Sequence, residues 1–126
     1  MQNCESLTTL VVDDDEFVLA SLPSFLSRVP SVKVVGTAKD GMDALAKIKL
    51  SQPRMVVMDV RMPNMGGIEA TGIIRRQYPD IRVVLTSGID DDQMRSDCLE
   101  CGAHAFVSKA SVMKEFPAAV AKIFAN

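Results

Sequence analysis

The sequence predicts an α/β fold: one doubly wound, five-stranded parallel sheet with helices on both faces, three layers in all. Three observations carry this reading. Five short apolar runs alternate with five amphipathic stretches, the runs are almost unbroken in hydrophobicity, and Gly or Pro falls at the junctions. Consecutive βα units require right-handed crossovers, which cover a parallel sheet on both sides. Strands buried on both faces lose the polar alternation of half-exposed ones.

The first strand is expected at Leu7–Val12 and runs into Asp13-Asp14-Asp15. Asp15 suits the cap of the next helix, because an Asp at a helix start satisfies free amides. Val18, Leu22, Phe25, Leu26 and Val29 then repeat at i, i+4, i+7, i+8 and i+11, the stripe of a buried helix face. Pro23 lies inside that stripe and should kink the helix, at about 3 kcal/mol if uncompensated. Residues 32–35 read as the second strand, with Met42, Leu45 and Ile48 as the second stripe. Residues 55–58 form the third strand, followed by Ile68, Thr71, Ile74 and Tyr78. The fourth pair is residues 83–86 with Met94, Cys98 and Cys101; the fifth is residues 105–107 with Phe116, Val120, Ile123 and Phe124. Pro117 fits the first turn of a last helix that begins near Phe116, after a turn over residues 111–115. Pro30, Gly36, Gly41, Pro53, Pro79-Asp80, Gly88 and Gly102 punctuate the pattern. No linker, repeat or low-complexity stretch interrupts it, so one domain is expected over residues 1–126.

A chain of 126 residues can bury one sizeable core and not two. Apolar residues make up 48%, charged residues 24%, and the net charge is −2, so no charge bias points to nucleic acid or an anionic membrane. No apolar run approaches the roughly 18 residues of a membrane span. Residues 1–6 lack the basic and apolar regions of a signal peptide, which makes the cytoplasm the expected location. Three cysteines, Cys4, Cys98 and Cys101, cannot all pair within one chain, and reduced thiols fit that compartment. Cys98-Leu99-Glu100-Cys101 has C-x-x-C spacing but falls near a helix C-terminus, where no dipole lowers a thiol pKa. Core packing is the expected role of its thiols.

The chemistry gathers at strand ends. Asp13 and Asp14 follow the first strand, Asp59 the third, and Lys109 the fifth. Open α/β sheets bind their ligands beyond the carboxyl ends of the strands. Clustered carboxylates repel one another and call for a hard divalent cation; few protein ligands, completed by water, suit Mg²⁺ rather than Ca²⁺. A carboxylate that also bonds phosphorus can form an aspartyl phosphate, while the metal and Lys109 neutralise the equatorial phosphoryl oxygens.

Over essentially its whole length the chain resembles the receiver domain of two-component response regulators, the CheY-like family. The residues that carry the resemblance are Leu10-Val11-Val12-Asp13-Asp14, Val57-Met58-Asp59-Val60-Arg61-Met62-Pro63-Asn64-Met65-Gly66-Gly67, Val84-Leu85-Thr86-Ser87-Gly88 and Gly102-Ala103-His104-Ala105-Phe106-Val107-Ser108-Lys109. It implies the flavodoxin-like strand order 2-1-3-4-5 and makes Asp59 the phosphoacceptor. It also implies Mg²⁺ held by Asp13, Asp14, Asp59 and the backbone carbonyl of Arg61, with Lys109 on the phosphoryl group. Ser87 and Thr86 compete for the switch hydroxyl. Spacing favours Ser87, since 87 − 59 = 28 and 109 − 87 = 22 look like the family's separations. Strand alternation would turn the two to opposite faces. Phe106 occupies the aromatic switch position. Phosphorylation would draw Ser87 inward, let Phe106 rotate into the vacated space, and change the surface of the fourth helix, fifth strand and fifth helix.

The implied partners are a histidine kinase or phosphotransfer protein and a downstream protein or fused output domain. No nucleic acid or membrane is expected to be bound by this chain alone, and a homodimer on phosphorylation stays open. The chain would not be an enzyme beyond self-phosphorylation on Asp59 and autodephosphorylation. Three features depart from the common pattern. Ala110 stands where many receivers have a cis proline, so the Lys109-Ala110 bond is expected trans or strained, a non-proline cis bond costing about 2.5–4 kcal/mol. Gly66 replaces a small polar or acidic residue, and Phe106 lacks a phenol hydroxyl. Ile89, expected over the pocket mouth, could hinder an attacking water and lengthen the phosphorylated lifetime.

Other classes fit less well. A Mg²⁺-dependent phosphohydrolase of the haloacid dehalogenase type would want an aspartate where Arg61 stands, and a lid. A flavodoxin-like flavin binder would need a neutral phosphate loop where Asp13-Asp14-Asp15 stands. A receiver-like interaction module that is never phosphorylated would not need the acidic pocket. Asp90-Asp91-Asp92 reads as a solvated helix start, Arg75-Arg76 as an exposed helix face, and His104 as a loop residue. The last helix is expected to end near Asn126, which leaves open a single-domain regulator or a receiver cut from a longer chain.

Overall fold

The computed structural model describes residues 6–125; Cys4 and the expected helix end at Asn126 lie outside them. Five strands alternate with five helices: β1 Leu7–Val12, α1 Glu16–Leu26, β2 Val32–Ala38, α2 Gly41–Ser51, β3 Met55–Asp59, α3 Gly67–Gln77, β4 Arg82–Ser87, α4 Asp92–Glu100, β5 Ala105–Ser108 and α5 Val112–Ile123. All strand pairs are parallel and the order is β2-β1-β3-β4-β5, as expected. β1 and β3 therefore lie side by side in the middle of the sheet, and their carboxyl ends open into the same place.

Strand alternation divides the core. Leu10, Val12, Val56, Met58, Val83, Leu85 and Phe106 face α2, α3 and α4, meeting Ala44, Ile48, Ala70, Ile74 and Cys98. Val11, Val57, Val84 and Val107 face the other way, onto Leu26, Phe116 and Val120 of α1 and α5. This is the three-layer arrangement, and it fixes the facing of every residue at the strand ends. Among the described residues no helix is long and apolar enough to cross a membrane.

Several element boundaries differ from the sequence expectation. β2 runs three residues past residue 35 because its pairing with β1 continues beyond a register shift at Thr9/Leu10. Met42 is 57% exposed; α2 packs instead through Gly41, Ala44 and Ile48. α5 starts at Val112, so Pro117 stands inside the helix rather than in its first turn. The apolar Val112, which packs in the α1–α5 core, extends that helix backwards past Phe116. α1 runs through Pro23 to Leu26. Asp15 and Asp91 cap α1 and α4 by accepting from Phe17 N and Met94 N, both at 2.8 Å. Cys98 and Cys101 pack in the core as expected, and burial pushes the Cys98 thiol up to about 11. Arg75, expected exposed, instead lies along Gly102.

Candidate functional site

Asp13 is set at the end of β1 by two backbone contacts. Its N–H donates to Ala38 O at 3.0 Å, and its Oδ1 accepts from Asp15 N at 2.9 Å. That second bond turns Oδ2 inward, where it is buried against the Lys109 ammonium. Asp59 closes β3 and is 7% exposed; Asp14 is exposed at the rim. One carboxylate oxygen from each of Asp13, Asp14 and Asp59 lies within 4.8 Å of the others. Lys109 Nζ sits 2.8 Å from Asp13 Oδ2 and 3.3 Å from Asp59 Oδ1. The sheet thus brings all four expected residues together.

Electrostatics follow from that crowding. Burial, and next the charge on Asp13, push the Asp59 carboxyl up from 3.8 to about 6 against the pull of Lys109. Burial alone would lower the Lys109 pKa; its contacts with Asp13 and Asp59 more than reverse this and hold it above 10.5. One ammonium, paired with Asp13 and Asp59, against three carboxylates leaves the cluster short of positive charge. An all-carboxylate donor set with more negative charge than Lys109 can balance fits a hard divalent cation and excludes a site built on His or Cys.

The loop after Asp59 is pinned at both ends. Val60 N donates to Thr86 O and Gly67 N donates to Val60 O, both at 2.9 Å. A Cβ on Gly67 would collide with Asp59 O, so only glycine lets α3 start this close to the end of β3. Arg61, with an exposed side chain, follows the pinned Val60. Sequence reasoning missed a second tether: Asn64 Nδ2 donates to Asp40 Oδ2 at 2.8 Å, and Gly41 N donates to Met65 O at 2.9 Å. These bonds hold the loop against α2, and no pattern in the chain announces a pairing across 24 residues.

Thr86 and Ser87 do face opposite ways. Thr86 lines a cavity with Val18, Leu22, Phe25 and Lys109 on the α1–α5 side. Ser87 shares the α4 side with Phe106, and its Oγ accepts from Ile89 N at 2.9 Å. The Ser87 hydroxyl is therefore engaged by its own loop. Ile89 is 40% exposed. Phe106 is buried under the Arg95 guanidinium, 4.9 Å from the ring centroid. The Lys109-Ala110 bond is trans, with a short 3₁₀ turn at Lys109–Ser111. His104 serves the sheet: its Nδ1 accepts from Val83 N at 3.0 Å.

A five-stranded sheet in this order, with a carboxylate cluster and a lysine at its carboxyl edge, defines a CheY-like α/β domain. The chain belongs to the response regulator receiver domain family, whose sequence model matches residues 9–121. It is 34% identical to the response regulator GacA of Pseudomonas protegens over 120 residues, 95% of this chain and 56% of that relative. The chain thus spans about half the length of the curated relatives it matches. A LuxR-family two-component response regulator from Aurantimonas superposes with a TM-score of 0.87 at 29% identity, over 94% of this chain and 85% of that one. The CheX–CheY–BeF3–Mg²⁺ complex of Borrelia burgdorferi gives 0.86 at 27% identity, over 97% and 92%. The chain is therefore a receiver of two-component signalling.

Proposed function

We propose that Asp59 accepts a phosphoryl group from a histidine kinase or phosphotransfer protein, on Mg²⁺ held by Asp13, Asp14, Asp59 and the Arg61 carbonyl. The observation that carries this reading is the carboxylate cluster within 4.8 Å, with Lys109 bridging Asp13 and Asp59. An Asp59 oxygen bonds phosphorus as the donor's N–P bond breaks, and the leaving imidazole takes a proton. Bound Mg²⁺ supplies charge neutralisation at the phosphoryl oxygens. Lys109 adds a second cation beside Asp13 and Asp59. Asp13 holds Lys109 in place, and the pinned loop from Val60 to Gly67 keeps the acceptor oxygen aligned.

Ser87 is the switch hydroxyl in this reading, and Phe106 the aromatic group that answers it; they share one face of adjacent strands, with Phe106 opposite Leu85, two residues before Ser87. The output is a downstream protein or a domain outside these residues, and the site of action is the cytoplasm. The chain is the substrate of the transfer rather than a catalyst acting on others. Incubation with acetyl phosphate and Mg²⁺, followed by intact-mass measurement, tests the assignment. The expected result is a phosphate-sized gain in the wild type and none in Asp59→Asn. A gain in both, or in neither, overturns it.

A further inference from the structure

A chain of contacts runs outside the pocket from one site-bearing strand end to the other. Arg95, on α4, donates from Nε to Asp90 Oδ1 at 2.6 Å and from Nη2 to Asp90 Oδ2 at 3.0 Å. Asp90 lies three residues past Ser87, in the loop that holds the Ser87 hydroxyl through Ile89 N. The same Nη2 stands 3.6 Å from Glu115 Oε1 on α5. That Glu115 oxygen accepts from Ser108 N at 3.1 Å, immediately before Lys109. Beneath this strap lies Phe106, with Arg95 Cζ over its ring, 4.9 Å from the centroid.

We infer that Arg95 is a positioning residue that ties the Ser87–Asp90 loop to Phe106 and α5, and so sets how readily the receiver switches. This rests on the roles assigned above to Asp59, Ser87 and Phe106. In the present arrangement Ser87 Oγ is turned into its own loop. Carrying the hydroxyl to a phosphoryl group on Asp59 moves residues 88–90 with it and pulls Asp90 away from Arg95. A guanidinium that loses its bidentate carboxylate loses what holds it over Phe106. Phosphorylation at the pocket and the buried aromatic are thereby coupled through one side chain. A planar, two-pronged cation is required, because a lysine in its place offers a point charge with no flat face.

The strap stabilises the phosphate-free arrangement, so weakening it lowers the cost of switching and raises affinity for a phosphoryl mimic. The test uses beryllofluoride with Mg²⁺ as the probe and 4-fluorophenylalanine at position 106 as the reporter, read by ¹⁹F NMR. In Arg95→Ala and in Asp90→Asn the half-saturating beryllofluoride should fall by about three- to tenfold, the range of an exposed ion pair plus a cation–π contact. The double variant should gain no more than Arg95→Ala alone, and Arg95→Lys should fall between it and wild type. The metal-free ¹⁹F line should also move in Arg95→Ala, before any mimic is added. Affinities within about twofold of wild type, or weaker binding in either variant, overturn the inference. Absence of any beryllofluoride response in wild type would instead remove the phosphoacceptor reading itself. Both side chains are substantially solvent-exposed, and Asp90→Asn preserves shape, so folding is not at stake.

Discussion

Lys109 Nζ stands closer to Asp13 Oδ2, at 2.8 Å, than to Asp59 Oδ1, at 3.3 Å. The lysine is thus anchored by the carboxylate that is not the proposed acceptor, and it occupies the buried oxygen a cation would seek. Lys109→Gln should destabilise the metal-free protein at pH 7 by about 1–2 kcal/mol, less than a fully buried pair because the ammonium is partly solvated. The sign follows from its raised pKa: the stabilising contribution is complete below 10.5 and fades only as pH rises through the folded value. The same variant should bind Mg²⁺ more tightly, by about tenfold, since one competing positive charge has gone. Urea melts with EDTA, and Mg²⁺ titration by calorimetry, check the two halves; equal or weaker Mg²⁺ binding would contradict the competition.

Pro117 sits at the sixth position of α5 with an exposed ring and has no N–H to offer the Met113 carbonyl. Pro117→Ala should restore that bond and raise stability by about 1–3 kcal/mol. Chemical denaturation of both proteins measures it. A loss of stability would mean that the ring packs against α1 more than the missing bond costs.

Gly67 shows a different kind of intolerance. Its α-carbon approaches Asp59 O so closely that any Cβ collides with backbone, which cannot swing aside as a flexible side chain would. Gly67→Ala should therefore cost about 1–3 kcal/mol as an overpacked site. It should also slow acetyl phosphate labelling of Asp59, because the displaced atom belongs to the acceptor residue. Thermal melts and timed intact-mass spectra together report both effects; a variant as stable and as quickly labelled as wild type would refute the close approach.

Much of this was legible in the chain because the relevant signals are local. Unbroken apolar runs give the strands and period-3.6 stripes the helix faces, and each acid or amine of the pocket lies within two residues of the end of an apolar run. The opposite facing of Thr86 and Ser87 yielded to similarly local logic, since side chains alternate along a strand. What stayed hidden depends on packing between distant segments. The start of α5 was misplaced because Val112 gains its burial from α1, which no window around residue 112 contains. The Asp40–Asn64 tether and the Arg95 strap join helices and loops that meet only after the sheet has formed. Charged residues such as Arg95 and Glu115 look like ordinary solvated positions until a partner is placed beside them.

Asp59 makes the strongest pH-dependent prediction, because its folded pKa lies above its unfolded one. Below 3.8 the carboxyl is protonated in both states and contributes nothing. Between 3.8 and about 6 the unfolded chain ionises while the folded one keeps its proton, so stability falls as pH rises through that window. Above it the penalty is constant. Each tenfold difference in ionisation is worth roughly 1.4 kcal/mol, so a rise from 3.8 to about 6 means that Asp59→Asn should stabilise the metal-free protein by about 3 kcal/mol at pH 7. The gain should shrink steadily toward pH 4 as the wild-type carboxyl takes up its proton. Saturating Mg²⁺ should narrow it from the other side, because the metal binds the folded wild type and restores what charge crowding removed. Urea denaturation of both proteins from pH 4 to 8, with EDTA or Mg²⁺, reads all three trends. A difference that is flat across pH, or that Mg²⁺ leaves untouched, would show that crowding at Asp59 is not what the acidic pocket costs.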